Sequence, residues 1–124
     1  MKIRSLILTF VIFLSTTSIA NADGRHDHAP LFGGKIFVVK DIDVELVAKN
    51  DLVQIYVRDH GKPIDINGGN AKLTLLNGAN KQEYELAANK ENFEIKEKFN
   101  LEKGTKVIAI IKFKNQVITA RYVY

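Results

Sequence analysis

The stretch "LVQIYVR", residues 52–58, decides the fold class of this chain. Apolar side chains alternate with polar or amphipathic ones from Val53 to Arg58. A repeat of two places apolar side chains on one face of an extended strand, whereas a helix would need a repeat of about 3.6. The stretch therefore predicts a β-strand with one buried face.

The same kind of pattern continues on both sides of this strand. Further β-like runs are KIFVV (35–39), VELVA (44–48), AKLTLL (71–76), QEYEL (82–86), FEIKEKF (93–99), KVIAIIKF (106–113) and VITARYVY (117–124). Turn signals separate them, among them Asn77-Gly78, whose residues both tolerate positive φ. No window of twelve residues shows a helical repeat. We therefore expect an all-β domain over residues 35–124, an immunoglobulin-like antiparallel β-sandwich of seven or eight strands, with a small closed barrel as the alternative.

The first 22 residues have the layout of a secretory signal peptide. Lys2 and Arg4 precede a short apolar run, residues 6–14, and small residues follow up to Ala22. The run is nine residues long, whereas a membrane-spanning helix needs about 20. We expect cleavage after Ala22 and a periplasmic mature chain with no membrane insertion.

The mature chain of 102 residues is long enough for one domain. Without Lys2 and Arg4 it carries 16 basic and 14 acidic residues, a balance of +2 that argues against nucleic acid or an anionic membrane as partner. It contains no cysteine, so no disulfide holds it together. Residues 23–34 show no periodicity and are predicted to form a flexible N-terminal arm before the sandwich.

Catalytic motifs are missing from the sequence. There is no cysteine, the serines occur only in the predicted leader, and neither a phosphate-binding glycine loop nor an H-E-x-x-H pattern is present. Carboxylates are numerous, but their spacing singles out no acid–base pair. We predict a protein that is not an enzyme.

The three histidines are the residues most suited to specific chemistry. His26 and His28 lie in the arm, and His60 follows Asp59 in the turn "DHGKP". If the arm folds back to that turn, His26, His28, His60 and Asp59 form a set of three imidazoles and one carboxylate. Such a set suits Cu²⁺, Zn²⁺ or Ni²⁺. The alternative is that all three histidines are ordinary solvated polar residues, two on a mobile arm and one in a turn.

The chain resembles small exported β-sandwich modules of Gram-negative bacteria that are associated with heavy-metal efflux systems and with periplasmic efflux adaptors. The resembling segments are "HDHAPLFGGKIFVV", "DVELVAKNDLVQIYVRDHGKPIDINGGNAKLTLLNG" and "LEKGTKVIAIIKF". The resemblance implies an accessory role in metal handling. It also implies that His26, His28 and His60 are the metal-ligand positions. Phe32 is a departure, because the family pattern has a histidine directly before the Gly-Gly pair.

Two functional hypotheses follow. In the first, the protein captures copper, zinc or nickel weakly through neutral imidazoles and hands it over, releasing it as they protonate near pH 6. In the second, it is an interaction module that docks on an efflux adaptor or another envelope protein without binding metal. Outward-facing apolar residues such as Tyr56, Ile108 or Ile110 would then form the contact.

Overall fold

The computed structural model describes residues 27–124. The predicted signal peptide (residues 1–22) and His26 lie outside the described residues. No helix within residues 27–124 has the length and apolar character needed to cross a membrane.

The described residues form one antiparallel sheet. Its nine strands are β1 (Lys35–Val39), β2 (Ile42–Lys49), β3 (Leu52–Asp59), β4 (Lys62–Pro63), β5 (Asn70–Asn77), β6 (Asn80–Asn89), β7 (Asn92–Ile95), β8 (Lys106–Phe113) and β9 (Gln116–Val123). The strand order is β1-β2-β3-β7-β6-β5-β8-β9, and β4 pairs with β3. The prediction of an all-β antiparallel fold is confirmed.

The arrangement of the strands differs from the expected one. A sandwich of seven or eight strands is not confirmed, because all nine strands belong to a single sheet that is curled until it is nearly barrel-shaped. The short strand β4 was not predicted, and its Pro63 is tolerated because β4 has β3 on one side only. Strand β7 ends at Ile95, four residues before the predicted end, and Phe99 enters the core from the segment that follows.

Side chains hold the two edge strands, β1 and β9, against each other. The Lys35 Nζ donates a hydrogen bond of 2.6 Å to the Val123 carbonyl, and the ring of Phe37 packs edge-on against Tyr122 with centroids 6.2 Å apart. The Tyr122 hydroxyl donates a 2.8 Å hydrogen bond to the carbonyl of Val44 on β2. No backbone ladder joins β1 to β9 in the described part of the chain. The gap between β1 and β9 in this nearly barrel-shaped sheet is therefore bridged by side chains.

The core lies inside the curled sheet. Its largest fully buried side chains include Leu46, Ile55, Phe93, Ile111 and Phe113. Strand β8 pairs with both β5 and β9, as expected for a strand with apolar residues on both faces. Because successive side chains point to opposite faces, one face of each strand lies in the core and the other contacts solvent or the N-terminal arm.

Candidate functional site

The outer face of β2 and β3 carries buried charges. Val44, Leu46 and Val57 point into the core, so Asp43, Glu45 and Arg58 point the other way. These three charged residues are nevertheless only 3%, 0% and 3% exposed. They are buried because residues 27–34 cross this face, so the described part of the predicted arm is bound to the sheet.

The Glu45 carboxylate is the anchor of this covering segment. It accepts backbone N–H bonds from Leu31 (3.0 Å), Phe32 (2.8 Å) and Gly34 (3.0 Å). It also accepts a 2.8 Å bond from the Arg58 guanidinium. Four donors therefore converge on two carboxylate oxygens, which satisfies a buried charge that would otherwise be very unfavourable.

The environment of Glu45 favours its ionised form. Burial by itself raises the pKa of the Glu45 carboxyl, but the Arg58 hydrogen bond and the three backbone N–H groups outweigh burial and lower the pKa below its usual value of 4.5. The anchor is therefore charged at neutral pH. Arg58 also donates a 3.3 Å bond to the carbonyl of Ala29, which secures the start of the segment.

The two glycines of the segment are required by this geometry. Gly33 has a φ of +73°, a left-handed conformation that L side chains rarely adopt. A Cβ on Gly34 would overlap the Leu46 carbonyl oxygen and lie 2.9 Å from Cγ of Glu45. Only a glycine at position 34 lets the segment approach β2 closely enough for its N–H to reach the carboxylate.

His28 is held in place within this covering segment. Its Nδ1 lies 2.5 Å from Oδ1 of the buried Asp43, and its side chain is about one-third exposed. The imidazole thus combines a buried carboxylate partner with access to solvent.

His60 forms a similar pair in the turn between β3 and β4. Its Nδ1 lies 2.5 Å from Oδ1 of Asp59, and its Nε2 lies 3.9 Å from Oδ2 of Asp41. Its backbone N–H donates a 3.3 Å bond to the Asp41 carbonyl, which joins the turn to the β1–β2 turn. Asp59 is thus committed to His60, whereas Asp41 presents an oxygen towards the other ring nitrogen.

The structure brings His28 and His60 to the same end of the β2–β3 pair. Asp43, the partner of His28, stands opposite Arg58 in the ladder, directly before Asp59 and His60 in sequence. Within residues 27–124, however, no group of three or more His, Cys, Asp or Glu side chains is arranged to hold a metal. His26, the remaining predicted ligand, lies outside the described residues.

The acidic residues of β2 and of the turn before it were not predicted as site residues. Asp41, Asp43 and Glu45 occur at every second position of "DIDVE". Two carboxylates on one face of a strand whose other face is apolar are a recognisable signal, and Arg58 on the neighbouring strand provides the matching charge. The anchoring of the arm by Glu45 required the tertiary structure.

Comparison with known proteins finds no match: no family model fits the chain, and no curated protein and no solved structure is significantly similar to it.

Proposed function

We propose that this protein is a non-enzymatic periplasmic accessory that binds a divalent metal ion weakly, as cargo, through His28 and His60. The supporting observation is that each imidazole has its Nδ1 within hydrogen-bond distance of a carboxylate, Asp43 for His28 and Asp59 for His60. In a neutral imidazole whose Nδ1–H donates to a carboxylate, the Nε2 carries the lone pair that binds metal. Histidine ligands in metal sites are typically oriented in this way.

Five residues have different roles in the proposed site. His28 and His60 supply nitrogen ligands, and Asp59 orients His60 instead of binding the ion directly. Asp41, whose Oδ2 lies 3.9 Å from Nε2 of His60, adds an oxygen ligand. Because His28, His60 and Asp41 are not arranged around one point in residues 27–124, the ion itself must draw them together. His26 stands two residues before His28 and supplies a third nitrogen. Imidazole and carboxylate together suit Cu²⁺, Zn²⁺ or Ni²⁺.

The anchored segment favours binding because it fixes one ligand in advance. The backbone of residues 31–34 is bound to Glu45 and the start of the segment to Arg58, so His28 is held against Asp43 on β2. A ligand that is already ordered loses less conformational freedom when it binds. The role in heavy-metal efflux belongs to the same proposal and is supported by the resemblance given above.

Isothermal titration of the mature chain with Cu²⁺, Zn²⁺ and Ni²⁺ tests the metal proposal. His28→Ala and His60→Ala should each abolish or strongly weaken binding. Asp59→Asn should weaken it about 10-fold or more, because loss of a carboxylate that orients a histidine ligand has that effect. His60 and Asp59 are each 54% exposed at the side chain, so their variants should fold like the wild type. His28→Ala leaves the buried Asp43 without its partner, so circular dichroism first checks that this variant is folded.

Asp65→Asn is the matched control. Asp65 is an exposed residue whose carboxylate accepts a hydrogen bond from the backbone N–H of Asn67 in the same turn. Its metal affinity should equal that of the wild type. Binding that is the same in the wild type, His28→Ala and His60→Ala, or no binding at tens of micromolar metal, would contradict the proposal.

A second function, docking on an efflux adaptor or another envelope protein without metal, has an observation of its own. Leu31 and Phe32 are 64% and 50% exposed although their backbone N–H groups are bound to Glu45. Phe32 also stacks on Tyr56 with ring centroids 3.9 Å apart. Apolar side chains held rigidly at a surface suit a protein contact. A partner that co-purifies in the presence of a chelator, and is lost in Leu31→Ser, would favour docking over metal transfer.

A further inference from the structure

A groove lies between the two edge strands, at the end of the molecule where the β1–β2 and β8–β9 turns are. Side-chain contacts of Lys35 with Val123 and of Phe37 with Tyr122 bridge the other end of the gap between β1 and β9. The groove has a volume of about 420 Å³, and its lining consists of Val39, Lys40, Ile42, Gln116, Val117 and Ile118. One wall is therefore the β1–β2 hairpin turn, and the other is the first part of β9.

The backbone of β9 has unused hydrogen-bonding groups along this gap. In an antiparallel pair, every second residue directs its N–H and C=O towards the partner strand, and the residues between direct theirs away. The Val123 carbonyl points away from β8, since it accepts a hydrogen bond from Lys35 on β1. The same alternation directs the N–H and C=O groups of Val117, Thr119 and Arg121 to the open edge. These groups have no ladder partner among residues 27–124, because β9 pairs with β8 alone.

The edge strands also expose apolar side chains. Val117 and Val123 on β9 are 64% and 61% exposed, and Val38 on β1 is 42% exposed. Strand β9 contains no proline, and its ladder with β8 runs without a bulge over all eight residues. Proteins commonly use prolines and bulges to keep other chains from pairing with an edge strand. The β9 edge is therefore regular and apolar enough to accept a further strand.

The charge beside this edge is positive. Residues 106–124 contain no Asp or Glu and four cations, Lys106, Lys112, Lys114 and Arg121. None of the four forms an ion pair with a carboxylate of residues 27–124. Lys112 stands opposite Val117 in the ladder, and Arg121 lies on the same face of β9 as Val117. Asp41, the acidic residue next to the groove, faces His60 instead. Carboxylates on the outer face of an added strand would therefore meet positive charge that is not compensated.

We infer that this edge binds an extended, acidic segment of a partner protein, which adds to β9 as a further strand. The backbone of the segment pairs with Val117 and Thr119. Its apolar side chains enter the groove against Ile118, and its carboxylates lie on the outer face near Arg121. This surface includes none of the residues that carry the two functions proposed above.

Fluorescence anisotropy with a labelled peptide, EVEVEVE, tests this inference. In an extended peptide the glutamates lie on one face and the valines on the other. We expect saturable binding to the mature chain at low salt, with a dissociation constant roughly between 10 μM and 1 mM. The peptide EVEPEVE keeps all four carboxylates but lacks one backbone N–H, so it should bind about 10-fold more weakly. The cationic peptide KVKVKVK should not bind.

Arg121→Glu should weaken binding of EVEVEVE about 5-fold or more, because it replaces an attraction at the edge by a repulsion. Lys98→Glu is the matched control, since it makes the same change of charge at an exposed residue outside the groove. The control should bind like the wild type. An equal loss of affinity in both variants would overturn the inference, because only the net charge of the protein would then matter.

Hydrogen exchange locates the bound strand. The amides of Val117 and Thr119 should exchange more slowly when EVEVEVE is bound. Unchanged exchange at both amides, equal affinity for EVEVEVE and EVEPEVE, or no saturable binding would overturn the inference. Slow exchange of both amides without peptide, in a dimer detected by sedimentation, would also overturn it, because a second copy of the chain would then occupy the edge. Peptide affinity should be the same with and without EDTA, so this test does not depend on the metal proposal.

Discussion

Glu45 shows at the scale of one residue why a charge is retained inside this protein. A buried ion pair is not stabilising by itself, because desolvation of two charges offsets much of their attraction. Here the carboxylate also accepts hydrogen bonds from three backbone N–H groups of the covering segment, and these groups would otherwise lack partners. The Glu45–Arg58 pair therefore has a role that an apolar pair could not have, because it binds the backbone of a segment that makes no strand pairing.

Glu45→Gln is expected to destabilise the fold by about 3–5 kcal/mol, because it leaves the Arg58 guanidinium buried without its carboxylate partner. Urea denaturation followed by circular dichroism measures the change. Glu83→Gln is the control: Glu83 pairs with Lys72 and Lys81 at the surface, so its variant should unfold at nearly the wild-type urea concentration. Equal midpoints for the two variants would show that the buried pair contributes no more than the exposed one.

The lowered pKa of Glu45 also predicts a pH dependence. Between this lowered pKa and the usual value of 4.5, the unfolded chain binds more protons at this residue than the folded chain does. The stabilisation that ionised Glu45 provides is therefore fully present above the usual pKa of 4.5. It is lost as the pH falls through the lowered pKa of the folded state. Urea midpoints measured from pH 7 down to pH 3 should fall less steeply in Glu45→Gln than in the wild type. Parallel curves would contradict this assignment.

Residues 27–34 show at the scale of an element how an irregular segment becomes part of the fold. The segment makes no strand pairing, and its order comes from side-chain bonds to its backbone. Gly34 is its critical position, since any Cβ there meets the Leu46 carbonyl oxygen.

Gly34→Ala should release this segment while the sheet persists. Hydrogen exchange of the Leu31, Phe32 and Gly34 amides, which are bonded to Glu45, should become faster in Gly34→Ala. Gly78→Ala is the matched control, because Gly78 has a φ of +59° but open space around its Cβ position. That variant should lose about 1 kcal/mol of stability without selective exchange in the segment. Unchanged exchange in Gly34→Ala would show that the close approach is not required.

At the scale of the whole molecule, the contact between the two edge strands β1 and β9 depends on a few side chains. Tyr122 on β9 contacts Phe37 on β1 and bonds to the carbonyl of Val44 on β2, which lies 78 residues earlier in the chain. Burial, followed by the charges of Tyr124 and Glu45, raises the pKa of Tyr122 well above its usual value of 10.0. This tyrosine thus stays protonated in the folded state at pH values where an exposed one ionises.

The raised pKa means that the folded chain keeps a proton that the unfolded chain loses above about pH 10. Stability contributed by Tyr122 is fully present below pH 10 and declines as the pH rises further. Tyr122→Phe should be less stable than the wild type at neutral pH by about 0.5–1.5 kcal/mol, the value of one hydrogen bond. It should also lose less stability between pH 9 and 11. Thermal unfolding at both pH values checks this, and an equal loss in both proteins would contradict it.

The positions of the strands could be predicted from the sequence because each depends on local alternation. Strands β1 and β8 have the predicted bounds, and each of the other predicted runs overlaps a strand. Strand β4 gave no such signal, since two residues cannot show a repeat. Of the candidate site, His28, Asp59 and His60 were found by residue type, whereas Asp41 and Asp43 acquire a role only through contacts with the histidines.

The sequence by itself determined that this chain forms antiparallel strands with one apolar face, because a two-residue repeat allows no other regular structure to bury those residues. Only the tertiary structure decided that one sheet curls into a near-barrel and that residues 27–34 lie on its outer face. Both features depend on pairs far apart in the chain, such as Lys35 with Val123, 88 residues apart, and Leu31 with Glu45. Such contacts leave no periodic trace in the sequence, since each depends on where the folded backbone brings two side chains together.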